Sequence, residues 1–359
     1  MKRRMLLGMM GAAALGSGRG GMRVAVVTHA GGPHLSAYVA GLAETPEAAS
    51  VVWCDASGAT DASARKGLGG RLQAVYRDPQ DMLAREKPAL TLVVMEAALA
   101  PPAIAAALEA GSHVMAEKPA CVRLEDFENL CRKAEARDRQ LMLALANRSD
   151  PVMAAARRLI RDGKIGTIYG AELRTIADQT RLSRPGYRDA WYAQKARGGG
   201  GHLIWLGIHW IDLAAYLTGL KVREVTALTA NVGGQPLDVE DAAVLAFRFD
   251  NGALGALTSA YYLDKGKQLV IRFWGSEGWL DLDRDRTPPL EWYTRKNGLE
   301  HLDAAPGQAG YTPFVRSVVR SCAGLEAPPL TTADSLHALR VVFAAYRSAE
   351  TREAQTLAR

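Results

Sequence analysis

Lys118 is the residue whose setting first suggests chemistry. It stands in Glu117-Lys118-Pro119, directly after Ala110-Gly111-Ser112-His113-Val114-Met115-Ala116. A helix-ending glycine, a short apolar strand and then Glu-Lys-Pro put one lysine at the carboxyl end of a parallel strand, where open α/β sheets keep their ligands. The proline biases Lys118 towards extended backbone and gives its ammonium a fixed origin. A lone Lys-Pro pair reads more readily as a surface lysine in a strand-to-loop turn, so the rest of the chain has to decide. Four glycines, Gly198 to Gly201, precede His202-Leu203-Ile204-Trp205-Leu206-Gly207-Ile208-His209. Helical spacing predicts one stripe of His202, Trp205, Leu206 and His209. The two histidines are about 10 Å apart along an α-helix, too far to share a metal ion.

Lys118, His202, Trp205 and His209 are therefore candidate site residues. Arg181 and Trp191 lie in the polar span 177–195 and are candidate ligand contacts.

These residues need a frame. The strand Arg23 to Val27 opens onto Thr28-His29-Ala30-Gly31-Gly32-Pro33-His34 and then a helical pattern from Leu35 to Leu42. Strand, glycine turn, helix is the order in which a diphosphate sits on a helix amino terminus. The glycines are out of register, with Thr28 and Ala30 in the first two glycine slots of G-x-G-x-x-G, while Gly31 and Gly32 permit close backbone approach. A second strand, Ser50 to Cys54, ends in Asp55, placed as a ribose-binding acid would be, which favours NAD; the alternative is a cap for the next helix. Arg65 and Lys66 follow, so NADP stays open. A helical Asp81-Met82-Leu83 segment, a strand at Leu90 to Met95, a helix at Ala97 to Ala110, the strand Val114 to Ala116, a helix at Leu124 to Arg139 and a strand at Leu141 to Ala144 predict a doubly wound parallel sheet. Beyond Asn147 come a helix at Val152 to Arg161 and strands at Tyr169 to Ile176, Val222 to Thr229, Ala242 to Asp250, Gly255 to Tyr262, Gln268 to Trp274 and Gly278 to Asp283. Asn251-Gly252 is a hairpin turn, and helices at Phe314 to Cys322 and Ala333 to Glu350 close the chain. The fold class is therefore α/β: a Rossmann domain over 22–145, then a carboxyl-terminal α+β domain over 146–359 with a large, mostly antiparallel open sheet.

At 359 residues two domains are the default. The +6 formal charge owes four residues, Lys2, Arg3, Arg4 and Arg19, to an acid-free amino terminus; without them 40 Lys+Arg face 38 Asp+Glu. Nucleic-acid binding has no electrostatic support. Residues 1–21 read as a signal of twin-arginine type with too short an apolar stretch to span a membrane, so a periplasmic or secreted protein is expected; if Met22 is the true start, a cytoplasmic one. Cys54, Cys121, Cys131 and Cys322 show no metal-ligand spacing and read as incidental thiols.

Glu-Lys-Pro, Gly-Gly-Gly-x-Leu-x-x-x-Gly-x-His-x-Ile-Asp, Asp250-Asn251-Gly252-Ala253, Gly275-Ser276-Glu277-Gly278 and a late Thr-x-x-Asp helix opening occur in this order. In that arrangement the chain resembles the glucose-fructose oxidoreductase and inositol dehydrogenase family (Gfo/Idh/MocA) from about Met22 onward. The resemblance implies an NAD(P)-dependent oxidoreductase acting on a sugar or polyol, with Lys118 and His209 at the family's lysine and histidine positions. On that expectation, oxidation of a secondary alcohol needs a base for the hydroxyl proton, for which His209 is the candidate, and a cation for the developing alkoxide, for which Lys118 is the candidate or, in the reducing direction, the proton donor. Trp205 would then offer a flat surface for the apolar face of the sugar ring, and His202 the polar group that the family's aspartate supplies. The resemblance also implies cofactor contacts from the first loop, Asp55, Glu117 and Lys118, and a homo-oligomer built on the open sheet. Trp205 stands where the family commonly has an aspartate, and Glu96 to Pro102 lacks a histidine often found there. Two other functions stay open: a hydrolase or lyase using held NAD for transient oxidation, and a non-catalytic sugar-binding descendant.

Overall fold

The structure, a computed structural model, describes residues 21–178, 184, 186–233, 235–304 and 307–358. Near-continuous apolar runs make the amino-terminal strands, because helices cover both faces of their sheet. In chain order these elements are β1 (Met22–Thr28), α1 (Leu35–Glu44), β2 (Ala48–Asp55), α2 (Asp61–Leu68), β3 (Leu72–Tyr76), α3 (Pro79–Glu86), β4 (Leu90–Val94), α4 (Ala100–Glu109), β5 (His113–Ala116), α5 (Leu124–Ala136) and β6 (Leu141–Leu143). The six strands are parallel in the order β3-β2-β1-β4-β5-β6. The strand order reverses between β1 and β4, the switch point at whose carboxyl ends open α/β sheets form their ligand crevice.

Two of these elements correct the sequence reading, which passes from Asp55 straight to Asp81. Helix α2 buries only Ala64 and Leu68, and the edge strand β3 buries no residue fully, being half-buried but for the exposed Gln73, so neither carries a strong apolar pattern.

The second half comprises α6 (Pro151–Arg161), β7 (Ile168–Ala177), the short α7 (Lys195–Gly198), a π-helical turn (Leu203–Gly207), α8 (Ile208–Thr218), β8 (Val222–Ala230), β9 (Ala242–Phe249), β10 (Leu254–Ala260), β11 (Lys267–Gly275), β12 (Gly278–Asp283), β13 (Leu290–Thr294), β14 (Gly298–Leu302), α9 (Tyr311–Cys322), α10 (Thr332–Thr351) and β15 (Gln355–Thr356). Its sheet runs β14-β13-β12-β11-β7-β10-β9-β8-β15, antiparallel except where β10 pairs with β7. Strands β13 and β14, which the sequence reading lacks, extend one edge with short, partly exposed segments. The Asn251-Gly252 turn forms as read, with Phe249 N–H donating to the Ala253 carbonyl at 2.8 Å and Gly252 at φ 88°.

The carboxyl-terminal helix returns to the first sheet. Leu141 and Leu143 of β6 donate their N–H groups to Thr332 Oγ1 and Ser335 Oγ of α10, at 2.9 and 3.1 Å. Arg148 is buried between the halves, 2.6 Å from Asp212 of α8 and 3.1 Å from the Pro329 carbonyl. No helix among the described residues is long and apolar enough to cross a membrane.

Candidate active site

β5 delivers Glu117 and Lys118 to the bottom of the crevice, and both are buried. The Lys118–Pro119 peptide is cis. Lys118 Nζ donates to the Trp205 carbonyl at 2.7 Å and lies 3.0 Å from the centroid of the Trp205 ring. Burial lowers its pKa to about 7, against the opposing pull of Glu117. An ammonium that can lose its proton near neutrality is suited to proton transfer as well as to charge stabilisation.

Glu117 has no solvent contact. Its Oε2 accepts from the Tyr38 hydroxyl and lies 3.1 Å from His34 Nδ1, while Oε1 is buried without a partner. His34 precedes α1 in a left-handed conformation, φ 57°, with its ring stacked 4.1 Å from Tyr311 of α9.

The predicted stripe is not a regular α-helix. Leu203–Gly207 is π-helical, and only from Ile208 does α-helix take over. Gly207 lets this turn pack against β10, since a Cβ there would come 2.6 Å from Ser259 Oγ. π-helical turns often sit at functional sites, and this one presents the Trp205 carbonyl to Lys118. His202 has no solvent contact; its Nδ1 is 2.6 Å from Ser259 Oγ, its Nε2 has no partner, and burial, reinforced by Lys118, lowers its pKa to about 3. His209 is held well below its ordinary pKa by burial, with Lys118, His34 and Arg284 adding to the effect. Both rings are therefore neutral at physiological pH, and His209 keeps an unpartnered Nδ1.

His209 lines a cavity of ≈ 270 Å³ together with His34, Asn147, Thr175, Lys267, Arg284 and Tyr311. Lys118 is not in that lining; it reaches His209 electrostatically from beneath Trp205. Trp205 itself is buried, stacked 4.8 Å from Tyr192 and perpendicular to Trp191 at 5.3 Å. Trp191 Nε1 donates to the Gly31 carbonyl at 3.3 Å, so Trp191 lies against the glycine loop. Arg197 pairs there with Glu96. Arg181 lies outside the described residues.

At the crevice mouth the N–H groups of Gly31 and Glu96 converge on one ring, His29, each at 3.0 Å from a different nitrogen. A neutral imidazole accepts at one nitrogen only, so two donors meet one acceptor; a phosphate oxygen would satisfy both. Gly32 leaves no room for a Cβ, which would overlap Thr28 Oγ1 and approach the Val94 carbonyl to 2.9 Å. Ala30 and Gly31 are exposed at the mouth. With the orphaned Glu117 Oε1, these features fit a dinucleotide whose diphosphate meets Gly31 and Glu96 and whose hydroxyls meet Glu117.

Asp55 sits at the expected strand end, fully buried. Oδ1 accepts from Ser57 N and Oγ at 2.9 and 2.7 Å, and Oδ2 from Thr60 N and Oγ1 at 2.9 and 2.7 Å. Burial raises its pKa, and these four bonds outweigh that and hold it below the usual range. Four bonds fill a carboxylate's acceptor sites, so in this conformation Asp55 shapes the turn into α2. Arg77, at the end of the unread β3, donates to the Asp55 carbonyl and pairs with Asp61. Sequence reasoning passed over it, as it did His34, Lys267, Arg284 and Tyr311, which come from separate elements and share no local motif.

Two family models match the chain: one described as oxidoreductase family, NAD-binding Rossmann fold, over residues 16–145, the other as GFO/IDH/MocA C-terminal domain, over residues 153–281. D-glucoside 3-dehydrogenase of Escherichia coli is 28% identical over 297 residues, 77% of this chain and 82% of that protein. Myo-inositol 2-dehydrogenase of Thermotoga maritima is 25% identical over 287 residues, 78% and 83% of the two chains. A levoglucosan dehydrogenase solved with NADH and L-sorbose superposes with TM-score 0.82 at 20% identity, covering 94% of this chain and 100% of that one, a likeness of fold.

Proposed function

Since the chain belongs to the Gfo/Idh/MocA oxidoreductase family, with an NAD-binding Rossmann domain, we propose that it oxidises a secondary alcohol of a sugar or polyol with His209 as base and Lys118 as its electrostatic partner. One observation carries the assignment: a neutral, buried His209 with a free Nδ1 lines a cavity of ≈ 270 Å³, room for one monosaccharide, within electrostatic reach of Lys118. NAD, when bound, supplies the hydride acceptor. His209 takes the hydroxyl proton at Nδ1, and the Lys118 ammonium, near its pKa of about 7, offsets the negative charge growing on the substrate oxygen. Trp205 fixes that ammonium through its carbonyl and ring.

Lys118→Met and His209→Ala should each lower kcat by about 10² to 10⁴ in a sugar-dependent NADH assay. The double variant should fall little further, because groups acting as a unit are not additive. Activity intact in Lys118→Met would sink the assignment and favour a sugar-binding protein.

A second reading has one observation in its favour: Trp191 and the Glu96–Arg197 pair cover the glycine loop, as suits a cofactor that does not exchange during turnover. Transient oxidation, as in a hydrolase or lyase, would consume substrate without net NADH, and that single measurement separates the two. Export by the Arg3-Arg4 signal, which lies outside the described residues, belongs to the same proposal. Fractionation finding only unprocessed cytoplasmic protein would remove it.

A further inference from the structure

Charge in the His209 cavity is one-sided. Lys267, at the start of β11, and Arg284, just past β12, both line it, and no aspartate or glutamate among the described residues does. Arg284 is braced from behind: its Nη2 is 3.0 Å from Asp150 Oδ2 and its Nη1 3.4 Å from Asn147 Oδ1. Asp150 is committed in turn, since it caps α6 through Val152 N–H. Lys267 has no acidic partner among the described residues; Asp178, across the strand end, accepts from Gly266 N–H. Glu117 lies outside the lining, engaged by Tyr38 and His34. Asp150 offsets the Arg284 charge, and the histidines that face the space carry no negative charge to offset Lys267. A neutral sugar would leave Lys267 to water and gain nothing from it. An anionic substituent would gain charge-assisted hydrogen bonds.

We propose that the substrate is a monosaccharide bearing one anionic group, a carboxylate or a phosphate, bound by Lys267 and Arg284 while the hydroxyl to be oxidised faces His209. The proposal rests on the reading that this cavity holds the sugar. Arg284 gives a planar, positioned fork suited to a carboxylate or phosphate, and Lys267 a mobile point charge that can close on it. The remaining lining donors, Asn147, Thr175 and Tyr311, are left for hydroxyl groups.

The test is a panel of six-carbon uronates, the matching hexose 6-phosphates and the neutral hexoses. Each is assayed for NAD-dependent oxidation and, separately, for equilibrium binding by tryptophan fluorescence, since Trp210 lines the cavity. One acid series should exceed its neutral parents by tenfold or more in kcat/KM and in Kd, and the ranking of the two series identifies the anion. Lys267→Met should raise KM for the acid about 10- to 100-fold, as loss of a charged hydrogen bond does, and raise the neutral-sugar KM far less. Lys267→Arg should keep the preference. Equal handling of acids and neutral sugars, or an equal loss on both in Lys267→Met, overturns the anion assignment and leaves the dehydrogenase reading standing. Selective binding of an acid without hydride transfer does the reverse. No binding of any sugar overturns both.

Discussion

His29 shows how much one side chain can decide. Its ring takes the place where Gly31 and Glu96 aim their N–H groups, and burial lowers its pKa, so the neutral ring acts as a stand-in acceptor. A diphosphate has to displace it, and cofactor affinity falls by the fraction of time the ring is in place. Removing the ring should therefore tighten binding: His29→Ala is expected to lower the Kd for NAD in a fluorescence titration. NADP, titrated in parallel, should bind more weakly than NAD to both proteins because Asp55 is ionised at the second strand end. A weaker NAD Kd in His29→Ala would make the ring a ligand and not a stand-in. Lys118 allows a second test, on stability. Its pKa falls from 10.5 to about 7 on folding, so between those values the unfolded chain holds a proton that the folded chain lacks, and stability rises with pH across that window. Lys118→Met escapes this cost. It should melt above the wild type at pH 7, with the gap closing towards pH 10, while losing activity.

At the scale of elements, Arg148 is the joint to break. It ties the segment after β6 to α8 through Asp212 and to the entry of α10 through the Pro329 carbonyl and Asp334. Arg148→Met leaves a buried carboxylate unpaired and should cost about 3–5 kcal/mol, read from the denaturant midpoint. Arg148→Met with Asp212→Leu should recover most of the loss, because the pair then leaves no orphaned charge; equal instability of single and double variants would show that Arg148 acts through packing alone. Elements of this kind divide by how local their cause is. β1, β2, β4 and β5 were legible because a strand covered on both faces must be apolar throughout, and Lys118 was legible because Glu-Lys-Pro ends one of them. The π-helical turn was not, because it packs through Gly207 on Ser259, far along the chain, and no local pattern marks it. Strand β3 was hidden by its half-buried edge position. The cavity was hidden for a plainer reason: His34, His209, Lys267, Arg284 and Tyr311 sit on five separate segments that only the assembled sheet and helices bring together.

The outer face of the second sheet sets the last expectation, for the molecule as a whole. Register carries one row of side chains across it, from Leu254 through Gly170 to Trp274, Trp279, Tyr293 and Leu299. Leu254, Trp274, Tyr293 and Leu299 are exposed, as are Leu228 and its cross-strand partner Val244. Beside that row runs a charged one, in which Arg272 pairs with Asp281 at 2.6 Å and Arg286 with Glu291 at 2.7 Å. Apolar side chains so aligned, rimmed by ion pairs, make a contiguous patch of the kind that marks an interaction surface. A second copy can meet such a face across a two-fold axis, each protomer offering the same row. The cavity at His209 opens against the inner face, where Thr175, Ala177 and Leu269 line it, so association leaves the chemistry clear. Light scattering should therefore find a homo-oligomer at micromolar concentration. Trp274→Glu combined with Leu299→Glu should reduce it to monomers that keep their fold and their sugar-dependent activity. A wild-type monomer at that concentration, or a double variant that still associates, would mean that this face does not join the subunits.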